Sequence, residues 1–259
     1  MTENMRYVAW EDRSAALNRK HDLVINLEDS LEVAEFVRAV QFRGLFGAYL
    51  DSSNLLRYTD NASSWFDLSL ISRHGKAQAD RLKYQTRRAY QDMIFSGVGF
   101  SFTGEPYLLP EPMETGLSGD VAMAVEAGSV WPMKRWAYYG ELKERLEAEG
   151  LAVNVLSKRT SLLEHFSDVR NHRCLVSGDT LPMHFALGSE VPCVSLFTYT
   201  SPWEIYDYGV QTKIVSPLLE EFFYKRGYDE RATRAITVHE VFDAVMMQLK
   251  AAVPAGTVA

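Results

Sequence analysis

From Val121 to Leu249 the sequence alternates short apolar runs with amphipathic stretches, and this alternation constrains the fold more than any other feature. Val121–Val125, Leu151–Leu156, Cys174–Ser177 and Val191–Phe197 each have the length and composition of a buried strand. Between them, Trp136–Glu149 predicts a helix with Tyr139, Leu142 and Leu146 on one face and Gly150 as its stop. Ser161 and Glu164 have capping-box spacing ahead of a short helix that turns Leu162, Phe166 and Val169 inward. A second capping box, Thr237 and Glu240, opens a helix striped by Val238, Val241, Phe242, Val245, Met246 and Leu249. Strands and helices in this order imply a parallel sheet covered on both faces. That is a doubly wound α/β domain, with ligands expected outside the carboxyl ends of its strands.

The first half is less regular. His21–Leu27 predicts a buried strand, and Ser30–Val40 a helix carrying Leu31, Ala34, Val37 and Ala39. Residues 51–64 are polar and unpatterned, whereas 79–96 read as one helix that ends at Gly97 and Gly99, with Pro106, Pro110 and Pro112 soon after. The domain boundary is expected at 110–120, giving domains 1–115 and 116–259. Arg81, Lys83, Arg87 and Arg88 form a basic patch that reads as the solvated face of the 79–96 helix.

Composition excludes several classes. A net charge of -7 over 259 residues argues against non-specific nucleic-acid binding, which needs a basic surplus or stripe. No apolar run approaches the ~18 residues that span a bilayer, and the N-terminus lacks a signal-peptide layout, so a cytoplasmic address is expected. Cys174 and Cys193 lie in apolar runs and read as small buried hydrophobes. His165, His172 and His239 have no partners at zinc spacing, and no metal is expected.

Two loops carry the chemistry. After the 174–177 strand comes Ser177-Gly-Asp-Thr-Leu-Pro-Met-His184, a polar turn and a helix start. A helix N-terminus offers free N–H groups and partial positive charge to an anion. Asp179 suits either a sugar-hydroxyl acceptor or a helix N-cap, and His184 either a donor to phosphate or a packed core residue. Pro182 suits the first helical turn in both cases. The second loop, Glu126-Ala-Gly-Ser-Val-Trp-Pro-Met-Lys-Arg-Trp136, combines small residues with Lys134 and Arg135. It reads as a diphosphate cradle or as a solvated loop with Trp136 as a core anchor.

Taken in order, Ala127–Trp136, Thr160–Leu162, Ser177–His184 and Thr200-Ser-Pro202 resemble the heptosyltransferase-like family 9 glycosyltransferases of GT-B fold. His21–Leu27, Asp67–Ser72 and Gly104–Pro110 are similar to the later part of that family's N-terminal, acceptor-side domain. The resemblance implies an α/β GT-B-like fold of two Rossmann-like doubly wound domains, the N-terminal one shortened. It also implies inverting, metal-independent transfer of a sugar from a nucleotide diphosphate donor, as in the ADP-heptose enzymes that build lipopolysaccharide. By position, Ser129 and Lys134 would hold the diphosphate, and Asp179, Thr180 and His184 would engage sugar and phosphates.

Two departures from the family stand out. The strand and Gly-Asp loop that usually supply its catalytic carboxylate have no counterpart in Met1–Lys20, which leaves Glu28 and Asp29 as the candidate bases. Only residues 157–159 stand where the family carries a further loop, helix and strand. The expected partners are a nucleotide-sugar donor and a glycan or lipid-linked acceptor, without nucleic acid and without a cofactor. Peripheral membrane contact and a homodimer, pairing the sheet edge that a shortened domain exposes, complete the expectation. The alternative is a catalytically silent sugar-nucleotide-binding subunit or regulatory homologue.

Overall fold

The computed structural model describes residues 5–68 and 74–251, which fall into two compact units divided at Thr103 and Gly104. The expected boundary at 115 therefore lies inside the second unit. The reason is packing: Tyr107 joins the core of that unit, and Met113 N–H donates to Ser167 Oγ at 2.9 Å. Residues 69–72 of the family-like Asp67–Ser72 stretch lie outside the described residues.

In the first unit, β1 (Lys20–Asn26), α1 (Leu31–Ala39) and β2 (Gln41–Leu50) form a β-α-β segment with β1 and β2 parallel. Ser30 caps α1 by accepting from Val33 N–H, and the helix buries Ala34 and Val37. β3 (Leu56–Tyr58) pairs antiparallel with β2, so the sheet has the order β1-β2-β3 and is mixed, where a doubly wound domain was expected. β2 and β3 are strands that the sequence patterns do not announce. Phe46 and Ala48 of β2 pack on Ala62 and on Phe66 of α2 (Ser63–Phe66).

The β1–β2 pair depends on Gly47. Its φ of +126° lies where side chains are disfavoured, and a Cβ there would sit 1.8 Å from Asn26 O. Asn26 is itself buried and donates from Nδ2 to Ala48 O at 2.8 Å.

The helix expected over 79–96 is two helices, α3 (Lys76–Gln85) and α4 (Tyr90–Gly97), because Thr86 and Ala89 between them are extended. The basic residues consequently do not share one face. Lys83 is buried, Arg87 folds back on the carbonyls of Tyr84 and Thr86, and Arg88 pairs with Asp92.

The second unit is doubly wound, as expected. Its elements are β4 (Gly119–Ala124), α5 (Tyr139–Ala148), β5 (Val153–Val155), α6 (Leu162–Arg170), β6 (His172–Gly178), α7 (Leu181–Gly188) and β7 (Cys193–Phe197). They continue with β8 (Gln211–Val215), α8 (Leu219–Phe222), α9 (Glu230–Arg234) and α10 (Val238–Ala251). The five strands are all parallel, in the order β5-β4-β6-β7-β8. β8 is a further strand that the patterns did not announce.

Alternation along β4 divides the core in two. Val121 and Met123 face α5 and α10, while Ala122 and Ala124 face α6 and α7. Cys174 and Cys193 are buried and free, one on each face of the sheet. Trp136 precedes α5 as a buried anchor, its indole N–H donating to Ile236 O at 2.9 Å. The Thr237–Glu240 box closes in both directions, at 3.0 and 3.3 Å. Leu162, expected inward with Phe166 and Val169, is 68 % exposed at the first position of α6, while the other two face the core as expected.

The strand order reverses between β4 and β6. Crossovers leave β4 toward β5 on one side and β6 toward β7 on the other, which opens a crevice at the carboxyl ends of these two strands.

Candidate functional site

Both sequence-predicted loops leave that crevice. The loop after β4 turns through a short 3-10 segment, Pro132–Lys134, and Thr198 Oγ1 ties it down by donating to Met133 O at 2.7 Å. Its backbone then passes directly over the end of β6. A Cβ on Gly178 would lie 2.8 Å from Lys134 O, so the close approach requires glycine at 178.

The crossing brings Lys134 and Asp179 together. Lys134 Nζ donates to the Asp179 carboxylate at 2.8 Å and also to the Asp179 carbonyl. The two side chains are only 18 % and 17 % exposed. Asp179 stands just before α7, whose N-terminus favours its negative charge. Thr180 occupies the N-cap position of α7 without a capping bond from its side chain, and its hydroxyl lies 2.9 Å from Ser177 Oγ. The N-cap reading of Asp179 is therefore replaced by a charge pair with Lys134.

His184 sits one turn into α7, with Nδ1 3.1 Å from the Tyr107 hydroxyl. Burial holds its pKa below the ordinary value, with Lys134 adding to the effect and Asp179 opposing it. The ring is thus kept neutral and close to the pair. Tyr199, buried just past the end of β7, presents a hydroxyl with no hydrogen-bond partner among the described residues. Burial first, and Asp179 second, push its ionisation up. Trp131 packs on the Tyr199 ring at 5.6 Å and carries the Arg226 guanidinium 4.4 Å above its own ring.

Ser129 does not join this group. It lines a cavity of about 690 Å³ on the other side of the same loop, together with Glu126, Arg135, Val155 and Tyr228. Arg135, read from the sequence beside Lys134 as a cation of the diphosphate cradle, thus lies apart from Lys134, and Glu126 and Tyr228 were not among the predicted site residues.

Glu28 and Asp29 belong to the first unit, just past β1. Glu28 is exposed and its backbone N–H donates to Asn26 Oδ1. Asp29 is half-buried. Its Oδ1 accepts from the Tyr58 hydroxyl at 2.5 Å, and its Oδ2 is buried with no hydrogen-bond partner among the described residues. Burial, then the Asp29 contact, raise the Tyr58 ionisation far above its usual range. His165 and His172 serve other ends: His165 packs on Phe185, and His172 bonds Asn154 and the Asp168 carbonyl.

Residues 137–226 match the sequence profile of glycosyltransferase family 9 (heptosyltransferase). No curated protein matches the sequence. Among solved structures, the chain is similar to the Escherichia coli heptosyltransferase WaaC with ADP, at 14% identity and a TM-score of 0.56, covering 92% of this chain and 76% of that one. The family 9 glycosyltransferase of Veillonella parvula DSM 2008 superposes with a TM-score of 0.58 at 14% identity, covering 95% and 81%. WaaC with ADP-2-deoxy-2-fluoro heptose gives 0.52 at 14% identity, over 92% and 75%. The fold is that of the GT-B heptosyltransferases, and the family match supports glycosyl transfer as the class of activity.

Proposed function

For a chain that carries a glycosyltransferase family 9 segment at residues 137–226 on a GT-B fold, we propose sugar transfer from a nucleotide diphosphate donor, with inversion and without a metal. The sugar is a heptose or related hexose, and the acceptor a glycan, a lipid-linked glycan or a small molecule. The observation that carries this reading is the Lys134–Asp179 pair, fixed where the sheet's strand order reverses.

Inverting transfer has two requirements. A base must take the proton of the acceptor hydroxyl as its oxygen bonds the anomeric carbon. Positive charge must also meet the diphosphate as the sugar–oxygen bond breaks. Lys134 uses two of its three ammonium donors on Asp179, which leaves one for a phosphate oxygen. The N-terminus of α7, with the Thr180 hydroxyl beside it, supplies uncharged donors. Ser129 donates from the cavity side of the loop that carries Lys134. Neutral His184 donates or accepts at a sugar or phosphate oxygen, and Asp179 accepts from a sugar hydroxyl while holding Lys134 in place.

For the base we assign Asp29 ahead of Glu28, since Asp29 Oδ2 is unsatisfied and its partner oxygen is oriented by Tyr58. The same Tyr58 contact favours a second reading, a catalytically silent sugar-nucleotide-binding subunit, because it occupies one oxygen of the only oriented carboxylate of the two. The leading reading places the protein in the cytoplasm, in lipopolysaccharide assembly, as a homodimer touching the membrane peripherally. Among the described residues no helix is long and apolar enough to cross a membrane.

Incubation with a panel of nucleotide sugars, with and without acceptor glycans, tests this directly. Nucleoside diphosphate release that requires an acceptor supports transfer. Binding without turnover selects the silent subunit, donor consumption without an acceptor selects hydrolysis or isomerisation, and absence of binding rejects all of these.

A further inference from the structure

Accepting that His184 faces the donor, we propose that Tyr107 is the positioning residue of that histidine. Its hydroxyl donates to Nδ1, so the single ring proton stands on Nε2 and His184 serves as a hydrogen-bond donor toward the sugar or its phosphates. A neutral imidazole carries one N–H, and the bond made at one nitrogen decides what the other can do. The Tyr107 hydroxyl lies 3.1 Å from Nδ1, whereas Nε2 has no hydrogen-bond partner among the described residues and stays open to solvent.

The direction of the Tyr107–His184 bond follows from the two groups. A phenol, which ordinarily ionises at about pH 10, is a good O–H donor and a weak acceptor, because its lone pair is shared with the ring; the bare nitrogen of imidazole is a strong acceptor. Donation from oxygen to nitrogen therefore pairs the better donor with the better acceptor. A protonated ring would reverse the bond. Burial chiefly, and Lys134 against the opposing Asp179, hold His184 below its ordinary pKa and keep Nδ1 bare.

Tyr107 is itself held along its whole length. His184 and Gly188 lie one turn apart on one face of α7. Tyr107 spans that turn: its Cβ abuts Gly188, where an added methyl group would lie 2.9 Å from it, and its hydroxyl reaches His184. Leu109 closes on the same glycine, its Cδ1 2.6 Å from where that methyl group would sit. The Tyr208 ring packs against the Tyr107 ring at 5.4 Å, and the Tyr208 hydroxyl donates to Glu105 O at 3.3 Å. The strap at 106–110 thus carries a fixed tyrosine to the histidine, and the fold sets the orientation of the His184 ring.

Two measurements on the full chain test this. With histidine labelled in nitrogen-15, ring spectra at about pH 8, where an ordinary histidine is neutral, should show a bare Nδ1 and a protonated Nε2 at His184 in the wild type, and exchange between the two tautomers in Tyr107→Phe; His184→Gln assigns the signals. Calorimetry with ADP-heptose, UDP-glucose and GDP-mannose reads the consequence. Tyr107→Phe keeps the ring on Gly188 and Tyr208, as matching melting curves should verify, and should weaken the nucleotide sugar that binds by about three- to tenfold, the worth of one neutral hydrogen bond. His184→Gln places an amide NH2 group near the position of Nε2 and needs no tautomer, so adding Tyr107→Phe to it should change affinity by no more than about twofold. A tyrosine that only packs would cost the same in both backgrounds, and that result overturns the proposal. So does a wild-type ring protonated on Nδ1, or a Tyr107→Phe ring with wild-type nitrogen shifts. A tautomer locked by Tyr107 in a protein that binds none of the three nucleotide sugars rejects the donor reading and leaves the positioning of His184 standing.

Discussion

The Lys134 ammonium and the Asp179 carboxylate meet at 2.8 Å although 45 residues separate them in the chain. Both are largely withdrawn from solvent, so removal of one partner leaves the other charge poorly hydrated. Lys134→Met should destabilise the second unit by about 2 kcal/mol, less than for a fully buried pair because some water remains. Lys134→Met combined with Asp179→Leu should recover much of that loss in urea melts. Additive losses would show that the two side chains are not coupled. Lys134→Ala should also weaken nucleotide-sugar binding, and unchanged affinity would remove Lys134 from the donor site.

Gly178 is the point where the β4 loop rests on β6. Gly178→Ala introduces a methyl group 2.8 Å from a backbone oxygen, a contact that a flexible side chain cannot relieve. A loss of about 1–3 kcal/mol is expected, with the Lys134–Asp179 contact opened. A melting temperature equal to wild type would exclude the close contact between Gly178 and the Lys134 carbonyl.

Stability should fall as the pH drops from 7 toward 5. His172 donates from Nδ1 to the Asp168 carbonyl at 2.6 Å and accepts at Nε2 from Asn154 at 3.0 Å, so a second ring proton has no acceptor. Burial is the main reason that its pKa lies below 6.5, and burial does the same at His165 and His184. The unfolded chain therefore binds protons first on acidification. The stability contributed is complete above the ordinary histidine range and is lost as pH falls through it. His172→Asn should flatten the fall in urea midpoint between pH 7 and pH 5, whereas an equally steep profile would exclude His172 as a contributor.

Arg159 binds the fully buried Asp168 carboxylate through two nitrogens, at 2.7 and 3.2 Å. Arg159→Met should lower the urea midpoint well beyond the effect of Arg234→Met, whose partner Glu230 is exposed on the same helix. Arg159→Lys should recover only part of the loss, because an ammonium cannot reproduce the fork. Equal midpoints for the 159 and 234 variants would contradict the burial of Asp168.

The second unit was legible in the sequence because its signals are local. The Thr237–Glu240 box, the stop at Gly150 and the apolar runs at 121–124 and 193–197 each act within a few residues, and each is realised. The first unit was not, because tertiary pairing decides it. β2 is interrupted by Arg43, Gly44 and Gly47, and β3 is three residues held by β2. β8 is half-buried and at the sheet edge, so its apolar pattern is diluted. The split of 79–96 at Thr86–Ala89 has no Pro or Gly to mark it. Within the site, Asp179 and Lys134 were readable as candidates, but their mutual neutralisation was not, since no short-range spacing encodes a contact across 45 residues.

Thr198 fastens the β4 loop to the end of β7, and Gly178 seats it on the end of β6. Three successive strand termini thus hold one short stretch of backbone rigid before any ligand arrives. In the proposed donor site, the conformational freedom that such a loop would otherwise surrender on capture has already been given up during folding, so affinity there is governed by the chemistry of the contacts and little by the ordering of the loop.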